Sequence, residues 1–202
     1  HSVEVHPSRR STVRLSGRAV ALLLVALAVM LLMIAPPLLV SGMPVTLLLH
    51  KPAGYECSQK PKQHLSVYTL LPQHLRQRGD SGSRDGVQCV GRLDQDTTGL
   101  LLLSDDGQFI HRYTSPKKQL GKTYSVTTKH PITQALLVSL STGVVLNDAI
   151  GDTPEPVFAT DVTQTGQNTL LMTITEGRYH QVKRMIAAAS NRCEALHRVS
   201  VG

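Results

Sequence analysis

From Met43 onward the sequence breaks into short segments. Strand-like and helix-like patterns alternate there without the regular beat of a parallel βαβ sheet. Runs of apolar and β-branched residues predict strands over 45–50, 100–104, 123–128, 157–163 and 169–175. The last two are separated by Gln-Thr-Gly-Gln, a hairpin signal. Helices are expected over 108–113, where Asp105 or Asp106 can cap the first turn, and over 131–140, with Pro131 at its start. A third is expected over 179–190, where Val182, Met185, Ile186 and Ala189 recur at helical spacing. Residues 77–85, rich in Gly, Ser and Asp, read as a loop. No internal repeat is visible. These elements predict an α+β fold: a largely antiparallel mixed sheet flanked by helices.

Residues 1–42 follow a different rule. A polar stretch with four arginines leads into an uncharged apolar run over 19–35, followed by Pro36 and Pro37. Seventeen apolar residues lie at the lower limit for crossing a bilayer, with the arginines on the side that stays cytoplasmic. Two readings stand: a transmembrane helix, with membrane contact, or upstream sequence foreign to the folded unit. The expected division is therefore 1–42 and 43–202. The net charge is +7 over 202 residues, of which +4 falls on 43–202, with 17 basic against 13 acidic side chains. That surplus suits a polyanion without identifying one. Three cysteines with no Cys-x-x-Cys pair exclude a disulfide framework and a four-cysteine zinc site. The absence of Trp excludes a large aromatic cage.

Two segments concentrate polar chemistry against apolar runs. The first, Gly91-Arg92-Leu93-Asp94-Gln95-Asp96-Thr97-Thr98-Gly99, sets an arginine and two carboxylates at the entrance of a buried strand. The second, residues 176–184, opens a helix and brings His180, Lys183 and Arg184 near one another, because residues three and four apart share a face. Each residue also has a plainer reading. Asp94 and Asp96 fit a hydrogen-bonded turn, Tyr124 fits a core position on an alternating strand, and Lys183 and Arg184 fit a solvated helix face. Lys117, Lys118 and Lys122 form a basic cluster that suits an RNA backbone or an ordinary surface loop equally. The cysteines read as core or incidental residues.

Taken together, the motifs resemble the RNA pseudouridine synthases, and in particular the group that contains the small-subunit rRNA enzymes. Gly91 to Leu100 is similar to the central motif of that family. Residues 50–55 (His-Lys-Pro-Ala-Gly-Tyr), Lys122-Thr123-Tyr124 and residues 176–185 match three further motifs in order and spacing. The resemblance covers residues 45–202. It implies the pseudouridine synthase fold and an isomerase that acts on uridine within ribosomal RNA, with no metal and no organic cofactor. It also implies a monomeric protein in the cytoplasm whose partner is small-subunit rRNA or its assembly intermediate. By position in the motifs, Asp94 is the catalytic carboxylate, as nucleophile or as base. Tyr124 stacks on the target base, and Lys183 is the cation paired with Asp94. Arg92, Lys51, Arg178, His180, Gln181 and Arg184 are the expected RNA-binding residues.

Three departures stand against the resemblance. The small basic N-terminal RNA-binding domain usual in this group has no counterpart in 1–42. His50 stands where Asn is common, and the sequence stops where the family continues into further strand. Three rivals remain: a large-subunit rRNA enzyme of the same group, an RNA-binding protein without catalysis, and a membrane-anchored protein whose apolar segment is its main feature. Retention of Asp94, Tyr124 and Lys183 together speaks against the second.

Overall fold

The computed structural model describes residues 43–76, 86–146 and 155–202. The apolar run over 19–35 and the loop over 77–85 lie outside the described residues. Among the described residues no helix is long and apolar enough to cross a membrane.

Among the described residues, nine strands and four α-helices follow in chain order. The strands are β1 (Thr46–Lys51), β2 (Tyr55–Glu56), β3 (Leu65–Ser66), β4 (Gln88–Val90), β5 (Thr98–Ser104), β6 (Lys122–Thr128), β7 (Asp161–Gln164), β8 (Thr169–Ile174) and β9 (Cys193–Val201). The helices are α1 (Gln73–Arg76), α2 (Gly107–Thr114), α3 (Gln134–Thr142) and α4 (Gln181–Ala188). Seven strands form one mixed sheet in the order β1-β5-β9-β6-β8-β7, with β4 also paired to β5. All its pairings are antiparallel except β5 with β9. The expected α+β architecture, largely antiparallel and mixed, is the one observed.

β5 organises the sheet. Its one edge is occupied along its length by β1, from Thr46 opposite Ser104 to Lys51 opposite Gly99. Its other edge is shared: β4 takes the C-terminal half and β9 takes Thr98 and Gly99. The continuous apolar run Leu100-Leu101-Leu102-Leu103 suits such a strand, which needs apolar side chains on both faces. Leu101 and Leu103 join Val126, Leu170 and Met172 on the sheet, and Leu136, Leu140, Met185 and Ile186 from α3 and α4, in one core.

The local signals work where they are chemically specific. Asp106 caps α2, accepting from the N–H groups of Gln108 and Phe109 at 2.8 and 3.2 Å. Asp105 instead accepts the Val45 N–H at 2.6 Å and ties the start of β1 to the end of β5. Three expectations need correction. The helix expected over 131–140 starts at Gln134: Thr133 caps it through the Leu136 N–H, while Ile132 N–H is already committed to Gln167 O at 2.8 Å. The strand expected over 157–163 begins at Asp161, because Val157 pairs separately with Val144. The helix expected over 179–190 begins at Gln181, because His180 is left-handed, at φ 47° and ψ 33°. The sequence reading also missed β4 and β9. Alternation in β9 is interrupted by Glu194 and Arg198, and the strand contains a register shift against β6.

Candidate active site

Two backbone segments, 87 positions apart, meet at one ammonium group. The turn between β4 and β5 carries Asp94 and Asp96; the first turn of α4 carries Lys183. Lys183 Nζ lies 3.1 Å from Asp94 Oδ2 and 2.6 Å from Asp96 Oδ1. His180 Nε2 lies 3.4 Å from Asp94 Oδ1. The Asp94 side chain is 27 % exposed and that of Asp96 54 %. The inner carboxylate is therefore shielded yet reachable, and the outer one stands in solvent. Burial alone would lower the Lys183 pKa, but the hydrogen bond to Asp96 and the charge of Asp94 raise it above the ordinary lysine range. Burial acts on Asp96 in the opposite sense, and the hydrogen bond from Lys183 with the charge of that ammonium holds its carboxyl below the usual range.

The Asp94 turn is immobilised from beneath. Leu93 and Thr97 are buried, so the chain dives into the core on both sides of the carboxylates. Lys51, at the end of β1, has no exposed surface. Its ammonium donates to Pro52 O at 3.0 Å, Gln95 O at 3.1 Å and Thr97 O at 2.8 Å, which accounts for all three of its hydrogens. Gly54 N–H donates to Gln95 O at 2.7 Å from the same side. Lys51, expected among the RNA-binding residues, is thus a fully buried ammonium whose three carbonyl acceptors anchor the turn. Burial draws its pKa downward, against the pull of Cys57, Asp96 and Asp94.

A thiol pair supports the same turn and escaped the sequence reading. Leu93 N–H donates to Cys57 Sγ at 3.5 Å, and Cys89 N–H donates to Tyr68 Oη at 2.9 Å. A hydrogen bond from the Cys89 thiol draws the Cys57 thiol below the ordinary thiol range against the effect of burial, with Leu93 N–H and Lys51 assisting. Cys89 is pushed up correspondingly. Nothing in the spacing of 57 and 89 announces this pair, because it arises from β4 lying beside β5 and beneath the turn.

The other expected residues divide by depth. Gln181 is buried: its Oε1 accepts the Arg178 N–H at 2.9 Å, so it braces the loop before α4. Tyr124 is 8 % exposed, on β6 opposite Met172 and Arg198, and belongs to the core beneath the site. Arg92 is exposed. Arg178 pairs with Glu176 at 3.0 Å, and Arg184 donates to Tyr179 O at 3.0 Å. Lys122 reaches Leu120 O and Glu176 O, while Lys117 and Lys118 are exposed on a short turn. A separate recess of about 360 Å³, lined by Pro131, Leu136, Ala188 and Asn191 among others, opens at the far end of α4 and includes neither Asp94 nor Lys183.

Comparison with known proteins decides the family. The family model described as RNA pseudouridylate synthase matches residues 45–188. The chain belongs to the RNA pseudouridylate synthase family. It is 40 % identical over 159 residues to the ribosomal small subunit pseudouridine synthase A of Vibrio vulnificus, covering 79 % of this chain and 64 % of that protein. To the protein of the same name from Escherichia coli K12 it is 39 % identical over 155 residues, covering 77 % and 62 %. A solved structure, described as the crystal structure of pseudouridylate synthase, superposes with a TM-score of 0.69 at 36 % identity, over 79 % of this chain and 64 % of that one. The chain thus spans somewhat under two thirds of the length of these relatives. The pseudouridine synthase fold expected from the motifs is the fold found.

Proposed function

We propose that this protein isomerises a uridine of small-subunit ribosomal RNA to pseudouridine. The observation that carries the reading is the half-shielded Asp94 carboxylate, held on a pinned turn 3.1 Å from the Lys183 ammonium. The reaction breaks the bond between uracil N1 and ribose C1′, turns the base, and joins C5 to C1′. The C5 hydrogen leaves as a proton and N1 gains one. Stacked RNA hides the glycosidic bond, so the nucleotide must first be extruded, at a cost of a few kcal/mol.

Asp94 acts at the ribose in its ionised form, either attacking C1′ or removing a proton from the sugar. A cation 3.1 Å away balances the charge of the carboxylate as RNA closes over the site. Lys183 is that cation, and Asp96 fixes its position from the solvent side. Tyr124 forms the floor on which the extruded uracil rests once the site opens to receive it. Arg92, Arg178, His180 and Arg184 surround the entrance and meet phosphates or bases. Lys51 and Gln181 position the two loops. The RNA is taken up in the cytoplasm by a single copy of the chain.

The family resemblance to small-subunit enzymes favours that rRNA over the large-subunit one. The experiment is tritium release from transcribed small-subunit rRNA labelled at uracil C5. The native chain is expected to release tritium and Asp94→Asn to release none. Release that survives this substitution would refute the role of Asp94, and mapping the modified nucleotide separates the two rRNAs.

A further inference from the structure

Of the chain's two Phe and five Tyr, Tyr179 is the most exposed, at 70 %. It is linked to Asp94 through one intervening side chain. Its ring stacks on that of His180, with centroids 3.8 Å apart and planes 20° from parallel. His180 Nε2 in turn lies 3.4 Å from Asp94 Oδ1. One aromatic face therefore stands in solvent two side chains from the site of chemistry.

This placement is held by backbone that resists change. His180 occupies the left-handed region, which a residue with a side chain enters only when its surroundings impose it. The surroundings are specific. Gln181 Oε1 accepts the Arg178 N–H, Arg184 Nη1 donates to Tyr179 O at 3.0 Å, and Arg184 N–H donates to His180 O at 3.0 Å. The loop is built to present Tyr179 and His180 together, and burial of Tyr179 is not its purpose. Extruding a uridine leaves the bases on either side of it without a stacking neighbour. A fixed aromatic face at the mouth of the site replaces that neighbour, and it does so for any base, because every base has a π-face.

We propose that Tyr179 is a binding residue that stacks on the nucleobase flanking the extruded uridine, with His180 as the second ring of the platform. The inference rests on the reading of the site as an RNA-modifying one. It adds a subsite for a neighbouring base. Because the chain has no Trp, Tyr179→Trp creates a sole indole fluorophore at this position. Its emission is expected to be strongly quenched on saturation with transcribed small-subunit rRNA. In the tritium-release assay Tyr179→Ala is expected to raise KM about tenfold, with the loss falling on KM more than on kcat, and Tyr179→Phe to restore KM to within about twofold of native. Unquenched emission at RNA concentrations that saturate the native enzyme would overturn the proposal. So would a KM for Tyr179→Ala equal to the native value. Quenching without any tritium release by the native chain would leave the stacking subsite standing and remove the catalytic reading instead.

Discussion

At the scale of single residues, the site depends on how one ammonium divides itself between two carboxylates. Lys183 is nearer to Asp96 than to Asp94, although the motif points to Asp94 as its partner. The outer aspartate holds the lysine at 2.6 Å, which leaves the inner one free for the role proposed for it at the ribose. Lys183→Met is expected to lower kcat by about 100-fold or more, since a preorganised charge at a reacting centre contributes on that order. RNA affinity, measured separately by filter binding, should change by less than about threefold. Equal losses in both would assign Lys183 to binding. The pair also leaves a pH signature. Asp96 titrates below its ordinary 3.8 in the folded chain, so its contribution is present above 3.8 and lost as pH falls through the depressed value. Lys183 titrates above its ordinary 10.5, so its contribution is present below 10.5 and lost as pH rises through the elevated value. The stability difference between native chain and Asp96→Asn should therefore be constant through the neutral range and close at both extremes. Because Asp96 is 54 % exposed, the difference is small. A difference that grew on acidification would contradict the ion pair.

At the scale of elements, the critical junction is where β5 leaves the Asp94 turn and meets β9. Gly99 has φ +104°, and a Cβ there would collide with the backbone of Arg198, with the Arg198 N only 2.8 Å away. The close approach lets Thr98 Oγ1 reach His197 Nδ1 at 2.8 Å and Arg198 Nε donate to Leu100 O at 2.8 Å. Gly99→Ala combines backbone strain with a clash against main chain, and should cost about 3 kcal/mol or more. In a chain of this size that lowers Tm by about 6–12 °C, readable by circular dichroism. A change under about 2 °C would show that the strands separate freely. The Thr-Thr-Gly of the motif was legible as a turn. What the glycine has to clear was not, because the obstacle is a strand 99 residues later in the chain.

At the scale of the whole molecule, residues 43–202 are only moderately basic, and the sheet brings distant segments together more than it concentrates charge. RNA affinity should fall with salt in proportion to the phosphates neutralised. Arg92, exposed beside the site, is expected to supply one such contact: Arg92→Gln should weaken binding and reduce the slope of log K against log salt by about one. An unchanged slope would remove Arg92 from the phosphate contacts.

The sequence by itself determined the elements whose signals are local. These are the strands β1, β6 and β8, a cap at Asp105 or Asp106, the hairpin between β7 and β8, and the dense motifs around Asp94 and Lys183. Hydrogen bonding and side-chain periodicity act within a few residues, so a linear reading captures them. The tertiary structure alone decided that Lys51 lies buried against three carbonyls and that Cys57 and Cys89 form a pair under the turn. It alone placed Asp96 nearer than Asp94 to the lysine, and Gln181 inside the loop against the Arg178 N–H. Each of these depends on where a partner dozens of positions away comes to rest. Residue type fixes which contacts a side chain can make, but which of them it makes is set by the sheet that brings the partner to it.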